Sequence, residues 1–161
     1  MIKQERATEL IKSLENFSSK AYIDATGSVL TIGYGLAFKY IDGITIQPND
    51  TCTELQAEIW LQESLNRDVF PFVNELQERY QFNDDIYVAI SSLVYNIGKN
   101  RLGPFFYKSL SINQEVGKPD LIATAFRMYN KIRKNGVLVV CEGLVNRREK
   151  EIAVFMKGDK K

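Results

Sequence analysis

The chain has 161 residues, 45% of them hydrophobic and 25% charged, with 21 basic against 20 acidic side chains and a formal net charge of +1. That length and composition suit one domain, or two closely packed lobes, and exclude wholesale disorder, collagen-like repeats and a disulfide-dense scaffold. No apolar run approaches the roughly 20 residues that span a bilayer, and the absence of histidine excludes histidine-built zinc sites, Ser-His-Asp and Cys-His catalytic sets and a histidine proton shuttle.

The near-zero net charge argues against a strongly basic nucleic-acid binder, but it hides an asymmetry. Residues 1–80 hold 7 basic and 12 acidic side chains, net −5, and residues 81–161 hold 14 and 8, net +6. The asymmetry reads either as an uneven solvated surface or as one lobe that favours an anionic partner. Cys52 and Cys141 are 89 residues apart, no metal-binding or redox spacing. They are expected to be buried free thiols, with a disulfide left open. Met1-Ile2-Lys3-Gln4-Glu5-Arg6 lacks the apolar stretch of a signal peptide. A cytoplasmic location is therefore expected, with release by another agent before any extracellular work.

In chain order, residues 3–17 read as an amphipathic helix. Ala7, Leu10, Ile11 and Leu14 share one face of a 3.6-residue period, and Glu15 falls at the margin of that stripe. Across residues 20–46, Gly27, Gly33, Gly35 and Gly43 punctuate short runs rich in Tyr, Ile, Val and Thr. Two or three short antiparallel strands joined by tight turns are predicted there. Thr51 and Glu54 fit a capping box opening a long helix with Leu55, Ile59, Leu61 and Leu65 buried and Trp60 in the core. Pro71 must end or kink that helix. Ile86, Ala89, Ile90, Leu93 and Ile97 make another apolar stripe closed by Gly98, and Pro104 starts the next helix. Two further helices are predicted over Leu121 to Lys134 and Leu144 to Met156.

With histidine and metal removed, carboxylates are the natural acid–base groups. Glu15, against an apolar face, is in surroundings that favour its protonated form. Asp24, in a polar turn before Gly27, is expected to stay ionised. Two carboxyls pushed apart in this way suit acid-assisted hydrolysis of a glycoside. On spacing alone the pair is weak, because a Glu on a helix flank and an Asp beside a Gly are usually a solvated side chain and a turn residue.

The surrounding blocks add to this. Glu15 and Asp24 are separated by eight residues, and Leu30-Thr31-Ile32-Gly33-Tyr34-Gly35 follows. Asn96-Ile97-Gly98 and Gly143-Leu144-Val145-Asn146-Arg147-Arg148-Glu149-Lys150-Glu151 come later, in order. Together these blocks resemble the phage-type lysozymes, the endolysin family of T4-like and lambdoid-type muramidases. The resemblance spans most of the chain. It implies Glu15 as general acid, Asp24 as the carboxylate that positions the attacking water, and Thr31 as a hydroxyl that helps hold that water. It also implies Arg147 or Arg148 as a cation brought towards Glu15. The alternative for these arginines is a surface helix end paired with Glu149 or Glu151. Tyr34 is a candidate for substrate contact, as are Tyr22, Phe38 and Tyr40, although each ring alone reads as strand packing.

Three departures accompany the resemblance. Six residues instead of five separate Asp24 from Thr31, which leaves Thr26 as a substitute hydroxyl. Asn16 stands where a Gly is usual, and Leu36 where a His is usual. The expected fold is α+β, mostly helical and lysozyme-like. A small N-terminal sheet lobe (about 15–50) is followed by a connecting helix (about 51–70) and a larger helical lobe (about 71–161), with a cleft between the lobes. The resemblance implies a monomer that hydrolyses the β-1,4 bond between N-acetylmuramic acid and N-acetylglucosamine in peptidoglycan. Inversion is expected, with no metal or organic cofactor, no nucleic acid and no stable membrane insertion. A lytic transglycosylase on the same bond and a non-catalytic peptidoglycan-binding module are the alternatives.

Overall fold

The first helix, α1 (Lys3–Glu15), follows its apolar stripe, with Ala7 and Ile11 buried. It stops two residues short of the predicted end because Asn16 turns left-handed, with φ 58°, and its amide closes on the Lys12 carbonyl at 3.1 Å. Asn tolerates that conformation better than most residues. The computed structural model describes residues 1–24, 27, 29–37 and 45–156. Two compact units emerge. One is Thr8–Asp68, and the other is Met1–Ala7 with the chain from Val69 onward.

In the first unit β1 (Ser18–Ile23), β2 (Leu30–Gly33) and β3 (Leu36–Ala37) form an antiparallel sheet in that order. Tyr22 pairs with Thr31 and Ile23 with Leu30, and the register shifts between Ser18 and Tyr22. The segment 50–52 lies extended along β1. Thr51 bridges Lys20, and Cys52 donates its amide to the Ser19 carbonyl at 2.9 Å. That bridge moves the start of the next helix, α2 (Glu54–Ser64). Its cap is Thr53 and its capping box closes with Gln56, not Thr51 with Glu54. Thr51 cannot serve because its backbone is committed to the strand edge.

The buried face of α2 also differs from the predicted one. Leu61 and the following Leu65 are buried as expected, but Leu55 is 66% and Ile59 49% exposed. The inward residue is Ala57, which lies about half a turn of azimuth from Leu55 and Ile59. A small residue is required there because α2 packs on β2. A Cβ on Gly33, at φ +67°, would come 3.0 Å from Ala57 Cβ. Trp60 is half-buried and not part of the core. The predicted break at Pro71 appears as a π-helical turn (Leu65–Val69), after which α3 (Phe70–Tyr80) restarts with Pro71 in its first turn.

The second unit continues with α4 (Asp84–Ile97), a 3-10 turn (Lys99–Arg101), α5 (Pro104–Val116), α6 (Asp120–Arg127) and α7 (Glu142–Met156). The Asn83 side chain caps α4 by accepting the Ile86 amide at 2.9 Å. All nine residues Ile86–Val94 are buried, which makes α4 the central helix, packed against α3 and α7. Phe106, Phe126 and Phe155 join α5, α6 and α7 through ring contacts of 6.3 and 5.4 Å. The first residues of α1 belong here, through Arg6 on Asp85 and Lys3 on Gln77.

The helix predicted over 121–134 ends at Arg127. Beyond it, β4 (Lys131–Lys134) pairs antiparallel with β5 (Val137–Val140). The connection is Asn135-Gly136, with φ 51° and 80°. Positive φ at both central residues is what a two-residue hairpin turn demands, and Asn-Gly supplies it. Both cysteines are free; Cys52 is buried and Cys141 half-buried. Among the described residues no helix is long and apolar enough to cross a membrane.

Candidate active site

The sheet unit carries Glu15, Asp24, Thr31 and Tyr34. Glu15 is the last residue of α1 and half-buried, at the margin its spacing predicts. Asn16 then directs the chain into β1, which brings Tyr22 and, one residue past the strand, Asp24. Asp24 closes the β1–β2 loop twice. Its amide donates to the Val29 carbonyl at 2.9 Å, and its carboxylate accepts the Val29 amide at 3.2 Å. Thr31, buried on β2, donates its hydroxyl to the same Val29 carbonyl at 3.3 Å and stands directly across from Tyr22.

Tyr22 links these groups. Burial holds its phenol above the usual range, and the negative charges of Glu15 and Asp24 both push it further up. Both carboxylates and this phenol belong to the sheet unit. Cross-strand pairing adds Thr31 to that neighbourhood.

Gly35, which closes the block of residues 30–35, bears directly on Glu15. It has φ +76°, and a Cβ built there would lie 2.8 Å from the Glu15 carboxyl carbon. The turn between β2 and β3 therefore runs directly against the Glu15 carboxyl, and only a residue without a side chain permits that approach. The signal was the pair of glycines flanking Tyr34.

Tyr34, expected to meet substrate, is buried. Its hydroxyl donates to Glu54 at 2.9 Å. Its ring lies 5.7 Å from that of Phe17 and 5.5 Å from the Lys12 ammonium. Lys12 in turn bonds Glu58 at 2.7 Å. This cluster ties the end of α1 to α2. Burial, then the bond to Glu54, raises the Tyr34 phenol. Thr26, Phe38 and Tyr40 lie outside the described residues.

Arg147 and Arg148 belong to the helical unit, and both are buried, which corrects the surface-helix alternative while keeping its Glu151 partner. Arg148 donates to Glu151 at 3.0 Å, to the Tyr129 carbonyl at 3.1 Å and to Asn96 at 2.8 Å. Arg147 donates to the Ser92 hydroxyl at 3.2 Å and sits 3.4 Å from Glu151. Burial pushes the Glu151 carboxyl up, against the pull of both guanidiniums. Glu149 faces outward and pairs with Arg127 at 2.8 Å. Among the described residues no group of three or more Cys, Asp or Glu side chains is arranged to hold a metal ion.

The model of the phage lysozyme family matches residues 12–151, from the end of α1 to Glu151. The chain belongs to the phage lysozyme family. Two curated relatives are endolysins. That of Bacillus phage PZA is 35% identical over 155 residues, covering 94% of this chain but 54% of that protein, so this chain spans about half its length. That of Acyrthosiphon pisum secondary endosymbiont phage 1 is 32% identical over 151 residues, covering 94% of this chain and 95% of that protein. Among solved structures, the endolysin from Escherichia coli O157:H7 phage FAHEc1 matches with TM-score 0.78 at 28% identity, covering 98% of this chain and 95% of that one.

Within the phage lysozyme family the departures noted in this chain have local structural answers. Asn16 adopts the left-handed backbone expected of the Gly it replaces. On either side of the longer spacer, Asp24 closes on Val29 and Thr31 pairs with Tyr22. Leu36 pairs with Ile32 on β3.

Proposed function

We propose that the chain is a muramidase that hydrolyses the β-1,4 bond between N-acetylmuramic acid and N-acetylglucosamine in peptidoglycan. The observation that carries this reading is that within one unit the Gly35 turn runs against the Glu15 carboxyl, Asp24 closes the β1–β2 loop on Val29, and Thr31 stands across from Tyr22. Glu15 gives its proton to the leaving glycosidic oxygen as the bond breaks. Asp24 takes a proton from a water that attacks the anomeric carbon from the opposite face, and the product inverts. Thr31 holds that water through its hydroxyl, and Gly35 and Tyr34 keep Glu15 and its helix end in place.

Both arginine guanidiniums are bonded within their own unit, Arg148 to Glu151, Tyr129 and Asn96 and Arg147 to Ser92 and Glu151. The biological role that accompanies this chemistry is phage-driven lysis. The protein would be made in the host cytoplasm and reach the wall after release.

The test is Glu15→Gln, which keeps shape and removes the donated proton. Release of reducing ends from purified peptidoglycan should fall by about 10²–10⁴-fold, with a smaller fall for Asp24→Asn. Near wild-type release by Glu15→Gln overturns the acid assignment. Mass spectrometry of the products decides the reaction class, since hydrolysis adds a water and transglycosylation leaves an anhydro end.

A further inference from the structure

The β4–β5 hairpin has a composition that the proposed hydrolysis does not use. From Met128 to Cys141 the only charged residues are Lys131, Arg133 and Lys134, all on β4. The facing strand is wholly aliphatic and wholly exposed, with Val137 at 61%, Leu138 at 52%, Val139 at 36% and Val140 at 62%. Cross-strand pairs share a face, so Lys131 with Val140 and Arg133 with Leu138 make one open surface of alternating cations and aliphatics. On the other face, Ile132 is half-buried beside Val139. The hairpin is well built, with its base closed by Cys141 on the Asn130 carbonyl at 2.8 Å. Its tip is closed by Arg133 on the Gly136 carbonyl at 2.9 Å.

Four consecutive exposed aliphatic residues on a two-stranded edge are a liability in water unless something covers them. We propose that the open face of this hairpin docks on an anionic phospholipid bilayer. Leu138 and Val140 enter the boundary between headgroups and acyl chains while Lys131 and Arg133 meet lipid phosphates. The charge complementarity selects this occupant. A second copy would bring two cations against two cations. A glycan would find no aromatic ring between residues 130 and 141. A soluble polyanion would engage the cations and leave the aliphatic side chains wet. A bilayer of anionic lipid satisfies both sets at once.

The test is co-sedimentation of the full chain with vesicles of phosphatidylcholine, with and without about one-third phosphatidylglycerol. Retention is expected on the anionic vesicles only, and should weaken with added salt. Each cation near an anionic surface is worth roughly fivefold in partitioning, so Lys131→Gln/Arg133→Gln should lower it by about 25-fold. Leu138→Ser/Val140→Ser should lower it by about tenfold. Both double variants should release reducing ends from purified peptidoglycan as the parent does. If the serine variant melts early, the charge variant still carries the test, because it keeps every aliphatic contact.

Absence of retention, or equal retention on both vesicle types, overturns the proposal. So does loss in the charge variant with a folded serine variant unchanged, which would indicate a polyanion. A dimer of the parent chain that dissociates in the serine variant would assign the face to a second copy instead.

Discussion

Gly35→Ala separates the position of Glu15 from its chemistry. The backbone at Gly35 has φ +76°, where an L side chain costs about 1–2 kcal/mol. A drop in Tm of roughly 2–8 °C follows for a chain of this size. The added methyl would also sit 2.8 Å from the Glu15 carboxyl carbon, against an ordinary contact of about 3.5 Å or more. The carboxyl must retreat by about 1 Å, and a displacement of that size costs on the order of 10²-fold in rate.

Gly33→Ala is the matched control. It has φ +67° and meets Ala57 Cβ at 3.0 Å, with no Glu15 atom among its near neighbours. Both variants should melt early, but only Gly35→Ala should lose about two decades of turnover on purified peptidoglycan, assayed below both melting points. Full turnover by a folded Gly35→Ala protein would refute the argument that this turn holds Glu15 in its working position.

Other expectations rest on single interactions. Glu151→Ala leaves two buried guanidiniums without their shared carboxylate, and urea unfolding should show a loss of about 3–5 kcal/mol. A loss below about 1 kcal/mol would mean the arginines find other partners. Thr53→Ala should cost about 1 kcal/mol because it removes the observed cap of α2, while Thr51→Ala should cost only a few tenths. The reverse order would restore the predicted cap. The hydrogen bond from Arg127 holds the Glu149 carboxyl below its usual range. Its stabilisation is therefore fully present above the unfolded-state value and is lost as pH falls through the folded-state value. The pair is about half exposed, so the effect is at most about 1 kcal/mol. The stability gap between parent and Arg127→Gln should close between neutral pH and pH values below the carboxylate range, and a gap that ignores pH would disprove the linkage.

Features governed by a few adjacent residues were readable along the chain. The apolar stripe of Ala7 and Ile11 marks α1, although the left-handed turn at Asn16 ends it two residues before the predicted limit. Pro71 interrupts the long helix and Pro104 opens another because a missing amide acts wherever it stands. Glu15 ends α1 and Asp24 follows β1, as their spacing along the chain predicts. The hairpin turn at Asn135-Gly136 is equally local, but the helical periodicity of the preceding residues extends past Arg127, where α6 ends.

The remaining differences have long-range causes. Ala57 and not Leu55 faces inward because β2, more than twenty residues earlier, presents Gly33 and leaves room only for a methyl. Thr53 caps α2 because Lys20 has already claimed Thr51. Arg148 is buried because Asn96, Tyr129 and Glu151 converge on its guanidinium from three separate segments. Local backbone preferences are properties of the residue and its neighbours. Which face is covered, and which charge is compensated, depends on surfaces that meet only when the chain folds.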